Sequence, residues 1–199
     1  MAGLSIDNII AEMDGAELPG VDGSAKEFVE LLKKAVPVEQ DAPKRVIEVK
    51  ETLRCLGDGS TLTVFPHQAL RISYTLSYDD PAIGTQFFDV IVNEDVFERE
   101  IAPARTFCRK SEALMLLISG LGRGANYRNT LIMGRRGPFW NSLRFPNEPA
   151  RHKVLDLIGD LCLTGAAVKG HIVAMKSGHR LNMELVAKLR ALTKGETYG

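Results

Sequence analysis

The sequence has few cysteines and no excess of charge of either sign. Cys55, Cys108 and Cys162 lie far apart and form no C-x-x-C pair, which suits a reducing compartment better than a disulfide framework. Lysine plus arginine and aspartate plus glutamate number 25 each, so no global positive field attracts nucleic acid or an anionic membrane. We therefore expect a cytoplasmic protein whose partners do not include nucleic acid.

The sequence also has no long apolar run, and its first residues do not show the pattern expected of a secretory leader. The opening MAGLSIDNII has no basic region and carries Asp7 inside its apolar stretch. A membrane-spanning helix needs about 18 or more consecutive apolar residues, and no such run occurs. We expect no stable membrane insertion.

The chain has enough apolar residues for a sizeable core, with 45% of its 199 residues hydrophobic. The polar, proline-containing stretch VPVEQDAPKR is the best linker candidate. We place a boundary there, so that residues 1–40 form one unit and residues 41–199 form a second domain. The first unit offers the apolar GLSIDNII and one short helix, in which Ser24 and Glu27 have capping-box spacing. That is too little to bury its own core, so we expect a truncated first domain.

Strand patterns followed by helix patterns predict an α+β fold built from two-layer sheet-and-helix domains. Ile72, Tyr74, Leu76 and Tyr78 alternate on one face of a strand, which is typical of a half-buried antiparallel sheet. The predicted strands are VIEVKETL, TLTVF, LRISYTLSY, QFFDVIV and HIVAMKS. The predicted later helices cover about 110–118 and 147–163, with a last one opened by Asn182 and closed near Gly195.

The stretch ARHKVLDLIGD combines an apolar helical pattern with ionisable side chains. His152, Asp156 and Asp160 are spaced four apart, so they form one stripe on a helix. A neutral imidazole and a carboxylate at this spacing can both bind one zinc ion. An ordinary exposed pair has the same spacing, so the pattern leaves both interpretations open.

A second candidate group is His179 in AMKSGHRLN, which we place on a glycine-containing loop between the last strand and the last helix. A carboxylate can orient such a ring, and Asp160 is a candidate partner. Lys153 and Lys176 lie close to these residues in sequence and would meet an anionic substrate. The alternative is that both lysines are only solvated.

Two further segments give weaker indications of function. GLGRGANYRN has glycines but no Lys-Ser or Lys-Thr ending, so we interpret it as a flexible loop. The preceding EALMLLIS is unusually apolar for a short helix. Core packing explains that composition, and a lipid-facing wall would have the same one.

Several of these motifs, in this order, resemble the zinc-dependent UDP-3-O-acyl-N-acetylglucosamine deacetylases of bacterial lipid A synthesis. They are GLSIDN, VDGSA, DPAI, ARTF, LRFPNE, RHKVLDLIGD and KSGHRLN. The combination of the last two is the specific part. The resemblance implies a zinc-dependent amidohydrolase that removes the acetyl group from UDP-3-O-acyl-N-acetylglucosamine, which would be the chain's main partner.

The resemblance also implies roles for individual residues. His152 and Asp156 match two zinc ligands, while His179 matches a cationic catalytic histidine paired with Asp160. The remaining matches are Thr106, near the developing oxyanion; Phe107, lining the pocket; Lys153 and Lys176, near the zinc and the diphosphate; and the 110–118 helix, on an acyl-chain passage.

The resemblance has one large departure. In the family a third zinc histidine and a glutamate base stand just upstream of GLSIDN, and this sequence begins after that point. A catalytic zinc normally has three protein ligands, so we expect weak zinc binding and impaired turnover. A separate N-terminal fragment is a possible partner on this interpretation. The alternative is a non-catalytic relic that binds a UDP-sugar or an acyl chain.

Overall fold

The computed structural model describes residues 1–15, 18–118, 126–135 and 137–194. Its helices are α1 (Lys26–Lys34), α2 (Glu94–Val96), α3 (Lys110–Ile118), α4 (Glu148–Leu161) and α5 (His179–Lys194). Its strands are β1 (Val46–Glu48), β2 (Leu53–Gly57), β3 (Ser60–Phe65), β4 (Leu70–Ser77), β5 (Thr85–Ile91), β6 (Phe107–Arg109), β7 (Leu131–Gly134), β8 (Gly137–Pro138) and β9 (Ala167–Met175). A π-helical turn, Phe97–Ile101, continues α2.

The main sheet has the order β2-β3-β9-β4-β5, and β1 also pairs with β9. The predicted α+β class is confirmed, but the sheet is not purely antiparallel. Strand β9 runs antiparallel to β3 and parallel to both β4 and β1. The predicted strand VIEVKETL is also wrong in part, because it divides into β1 and β2 around an interruption at residues 49–52.

Helices α4 and α5 cover one face of this sheet. Their apolar sides meet the inward residues of the strands, including Leu157 and Leu185 from the helices and Leu62 and Ile72 from β3 and β4, all fully buried. Strand β4 buries the alternating Ile72, Tyr74 and Leu76, as its sequence period predicts. The core thus holds α4 and α5 side by side, and both helices contribute to the site described below.

A small second sheet lies between β5 and α4 in the chain. Strand β6 leads into α3 and pairs in parallel with β7, which forms a tight antiparallel pair with β8. The predicted helix over 110–118 is present as α3. Residues 119–125, which include the end of EALMLLIS and the glycine-rich part of GLGRGANYRN, lie outside the described residues, as do the side chains of residues 114 and 116–118.

The first predicted unit, residues 1–40, forms backbone hydrogen bonds with the rest of the chain. The N–H of Ala25 donates to Ala102 O, and the N–H of Thr106 donates to Gly23 O at 2.7 Å. Helix α1 begins at Lys26 without a side-chain cap, so the predicted capping box is not formed. Ser24 instead accepts from Lys26 N and donates to Asp22 Oδ1.

No helix in the described part of the chain is long and apolar enough to cross a membrane.

Candidate active site

Helix α4 presents His152 and Asp156 on one face, one turn apart. His152 Nε2 lies 3.3 Å from Asp156 Oδ1, and both side chains are largely buried. The other ring nitrogen, His152 Nδ1, is 3.0 Å from the carbonyl oxygen of Ala104. A carbonyl oxygen can only accept, so Nδ1 carries the proton.

The protonation state of His152 makes its contact with Asp156 unusual. Burial lowers the pKa of His152, although the Asp156 carboxylate acts in the opposite direction. The neutral ring is therefore favoured, and because Nδ1 holds the proton, Nε2 presents a lone pair. That lone pair faces a carboxylate oxygen, which is also an acceptor. Two acceptors at this distance are stabilised when a cation lies between them.

Lys153 and Phe107 complete the surroundings of this pair. Lys153 Nζ donates to Asp156 Oδ2 at 2.9 Å and lies 5.8 Å from the centre of the Phe107 ring. The Phe107 ring packs edge-on against Tyr78 with centroids 6.0 Å apart. The structure thus brings together four of the predicted site residues, with Phe107 supplied by β6.

Asp160, one further turn along α4, contacts His179. Asp160 Oδ2 is 2.9 Å from His179 Nδ1 and accepts a second hydrogen bond from Asn182 Nδ2 at 2.8 Å. The carboxylate is largely buried, whereas the His179 side chain is 67% exposed. Since Nδ1 points at the acid, the other ring nitrogen is the one available to a ligand. The contact expected from the sequence is present, and its catalytic role stays a prediction.

The start of α5 differs from the prediction. His179 is the first residue of the helix rather than part of the preceding loop, and Asn182 contacts Asp160 instead of opening the helix. The loop itself is anchored to β4, because Lys176 N donates to Thr75 O at 2.9 Å and the Tyr74 hydroxyl donates to Ser177 O. Burial raises the pKa of Tyr74 to about 12, so the phenol remains a donor.

Thr106 and Lys176 are not joined to the other predicted residues. Within the part of the chain that the structure describes, neither side chain forms a hydrogen bond or an ion pair with them. Thr106 follows Ala104, the contact of His152, by two positions. Lys176 directly follows β9 and is exposed. The roles of both residues stay predictions.

A buried ion pair that the sequence analysis did not predict lies next to this site and holds two of its elements together. Glu148, the first residue of α4, is fully buried and accepts from Arg105 N and Nε at 3.0 and 2.8 Å and from Arg105 Nη2 at 3.1 Å. Because Arg105 directly follows Ala104, this pair fixes the loop that contacts His152 to the helix that carries His152.

Arg144 connects the Arg105–Glu148 pair to Asp22 in the first forty residues. Its backbone N–H donates to Glu148 Oε2 at 2.6 Å, and its guanidinium donates to Asp22 Oδ2 at 2.6 Å and Pro103 O at 2.8 Å. Burial raises the pKa of Asp22, but hydrogen bonds from Ser24 and Arg144 outweigh it, so the net shift is downward. We call Asp22, Arg105, Arg144 and Glu148 the loop-anchoring network.

The network joins three of the quoted motifs, VDGSA, ARTF and LRFPNE. Gly23 is required in the first of them, because it has φ +80° and a β-carbon there would lie 1.9 Å from Asn129 O. By its local sequence, Glu148 looks like an exposed acid in the first turn of a helix, which is the common case. Its place in the LRFPNE motif was the only sequence signal that it has another role.

Comparison with known proteins decides the family. The family model described as UDP-3-O-acyl N-acetylglycosamine deacetylase matches residues 1–191. The chain belongs to this deacetylase family. The match includes every motif on which the resemblance rested.

Curated members of the deacetylase family agree with this. Proteins named UDP-3-O-acyl-N-acetylglucosamine deacetylase from Anaeromyxobacter sp. (strain Fw109-5) and Oleidesulfovibrio alaskensis are 40% and 41% identical to this chain, over 96% and 90% of its length. The same alignments cover 63% and 59% of those relatives. The relative of that name from Chlamydia abortus is 39% identical over 93% of this chain and 67% of its own length. The chain thus spans about three fifths of the first two.

The donor chemistry of the α4 pair fits two positions of a zinc site. Zinc–nitrogen and zinc–oxygen bonds of about 2.1 Å at a tetrahedral angle place the two donor atoms about 3.4 Å apart. The observed 3.3 Å between His152 Nε2 and Asp156 Oδ1 agrees with that separation. Over residues 1–15, 18–118, 126–135 and 137–194, no group of three or more potential metal ligands converges. The described residues therefore supply two donors.

Proposed function

We propose that this protein is a zinc-dependent hydrolase of lipid A biosynthesis that acts in the cytoplasm and removes the acetyl group from UDP-3-O-acyl-N-acetylglucosamine. One observation carries the proposal: His152 Nε2 and Asp156 Oδ1 face each other as two acceptors at 3.3 Å, one helical turn before the acid that holds His179. Membership of the deacetylase family supports the choice of substrate.

The residues of α4 would hold the metal. His152 would bind through Nε2 and Asp156 through Oδ1, while the Ala104 carbonyl fixes the ring orientation and Lys153 fixes the second carboxylate oxygen. A zinc ion bound there would supply a water molecule whose pKa is lowered towards neutrality. The His152 ring and the Asp156 carboxylate are thus oriented before any ligand binds.

His179 would handle the proton of the leaving group. With its Nδ1–H donated to Asp160, protonated His179 keeps a second proton on Nε2, which it can donate to the nitrogen of the breaking amide bond. The same positive charge stabilises a developing oxyanion. Thr106, Phe107 and Lys176 are proposed to contact substrate, respectively near the oxyanion, at the pocket wall and at the diphosphate. We assign no general base to the residues described.

A second function has one observation in its favour. Because only two potential metal ligands converge in the described parts of the chain, the site is also compatible with a non-catalytic protein that binds a UDP-sugar or an acyl chain. On the deacetylase proposal, the same two-donor site implies that the chain alone binds zinc weakly and has impaired activity. A segment supplied by a separate N-terminal fragment would complete the site.

The two functions can be separated by measuring acetate release. The chain is produced together with the part of the Anaeromyxobacter relative that precedes the matched region, and the complex is given zinc and UDP-3-O-acyl-N-acetylglucosamine. We expect acetate and a free amine in equal amounts, with little release by the chain alone.

The matched control is the same complex with Asp156→Ala, which should show only background release. If the unmodified complex is soluble, holds zinc and still releases no acetate, the deacetylase proposal fails. Binding of the UDP-sugar by that inactive complex would then support the non-catalytic alternative.

A further inference from the structure

The stretch from the middle of α3 to the residue before α4 is strongly basic in an otherwise neutral chain. Residues 113–147 contain five arginines and no lysine, aspartate or glutamate, although the whole sequence has equal numbers of acidic and basic residues. One of these arginines, Arg144, is paired with Asp22, and the other four leave a local excess of positive charge that the overall balance conceals. Such an excess attracts anionic surfaces at short range whatever the net charge of the protein is.

The same region exposes large aromatic side chains. Trp140, the one tryptophan of the sequence, is 82% exposed, Tyr127 is 52% exposed and Phe139 is 44% exposed. Phe139 and Trp140 pack edge to face with centroids 6.0 Å apart. Asn141 Nδ2 donates to Tyr127 O at 2.9 Å, which holds the turn carrying Tyr127 beside the segment carrying Trp140.

Basic side chains lie against two of these rings. Lys110 Nζ lies 5.1 Å from the centre of the Phe139 ring, and the Arg128 guanidinium lies 5.8 Å from that of Tyr127. Arg135 is exposed between β7 and β8. The nearest acid in sequence, Glu112, is engaged by Arg109 at 2.7 Å. We name this group the aromatic–basic patch: Lys110, Tyr127, Arg128, Arg135, Phe139 and Trp140.

We propose that the aromatic–basic patch docks the protein on the surface of an anionic lipid bilayer. Tryptophan and tyrosine favour the boundary between head groups and acyl chains, where their apolar rings are buried and their polar atoms stay hydrated. Lysine and arginine beside them face the anionic head groups, and each such cation strengthens binding roughly fivefold.

The exposed apolar area favours a lipid surface over a nucleic acid duplex. Trp140 and Phe139 need an apolar partner to be removed from water, and a duplex offers charged phosphates with its base faces already stacked. A bilayer offers the charge and the apolar layer together. The docking is peripheral, because it involves side chains of loops, a short strand region and the first residue of α3 rather than a spanning element.

The single tryptophan provides a direct test. The purified chain is titrated with vesicles of phosphatidylcholine and phosphatidylglycerol in equal parts, and with vesicles of phosphatidylcholine alone. With the anionic vesicles we expect the Trp140 emission to move to shorter wavelength and the protein to float with the lipid. High salt should weaken both effects. The neutral vesicles should produce neither.

Paired variants test whether the patch itself is responsible. Arg128→Gln combined with Arg135→Gln should weaken vesicle binding roughly 25-fold. Lys34→Gln combined with Arg190→Gln removes the same charge from exposed positions on α1 and α5, and should leave binding unchanged. Trp140→Ser should reduce flotation even though all the basic residues remain.

Three results would overturn the proposal. They are absence of flotation with anionic vesicles, equal binding to neutral vesicles, and equal weakening by the two charge-removing pairs. Single-stranded RNA that quenches Trp140, in a protein that does not float with lipid, would assign the patch to nucleic acid instead. The outcome does not depend on acetate release, so it is independent of the proposed catalytic function.

Discussion

Replacing Glu148 by glutamine is expected to lower the free energy of unfolding by about 3–5 kcal/mol, because one partner of a buried ion pair is lost and the other stays buried. The Glu148 side chain is fully buried and that of Arg105 is 8% exposed. Glutamine keeps the shape of the side chain but turns an amide NH2 towards donors that now contact an oxygen. Chemical denaturation followed by circular dichroism measures the change.

The matched control is Glu98→Gln, which makes the same chemical change in the exposed pair with Lys33. That variant should lose less than about 1 kcal/mol. Equal effects of the two substitutions would mean that the loop-anchoring network contributes no more than an ordinary surface pair. The proposed support of the His152 contact by Arg105 and Glu148 would then be wrong.

Replacing His179 by alanine in the complemented, acetate-releasing complex is expected to lower kcat by about 100- to 10,000-fold. The substitution removes the proton donor for the leaving amine and the charge opposite the oxyanion, while His152 and Asp156 are unchanged. Zinc content should therefore stay the same. Steady-state kinetics together with metal analysis separates the two quantities.

His67→Ala is the control for this experiment. His67 lies in the turn between β3 and β4, where its Nδ1 is 2.9 Å from Ala69 O and its ring is 6.1 Å from that of His171. Its removal should leave kcat and zinc content unchanged. An active His179→Ala complex would show that the Asp160–His179 pair is structural, whatever the metal does.

Periodicity in the sequence was sufficient for the elements that build the core. The alternation in β4 and the 3.6-residue pattern of α4 are local properties, so they predicted burial of Ile72 and Tyr74 and placed His152, Asp156 and Asp160 on one stripe. The direction of β9 was not predictable in this way. A buried strand has the same local pattern whether its neighbours run parallel or antiparallel.

Contacts made by loops could not be predicted from spacing. Ala104 lies 48 positions before His152, and Arg105 lies 43 before Glu148, so neither contact leaves a periodic trace. The start of α5 was misplaced for a related reason. Asn182 looks like a helix cap when only local preferences are considered, but a carboxylate from α4 is its partner in the fold.

The aromatic–basic patch shows a limit of composition. A net charge of zero argued against an anionic membrane as partner, because an average over the chain does not report where charges cluster. The five arginines of residues 113–147 are visible in the sequence. Only the fold shows that exposed aromatic rings lie against basic side chains, with the ring of Trp140 packed beside one of them.

A metal ion held between His152 and Asp156 of α4 is the central element of the proposed function. The measurement that tests this directly is an anomalous difference map at the zinc absorption edge, from crystals of the complemented complex grown with excess zinc. We expect a peak about 2 Å from both His152 Nε2 and an Asp156 carboxylate oxygen. A map in which zinc binds elsewhere, or in which His152 and Asp156 keep their 3.3 Å contact with no peak between them, would contradict the account.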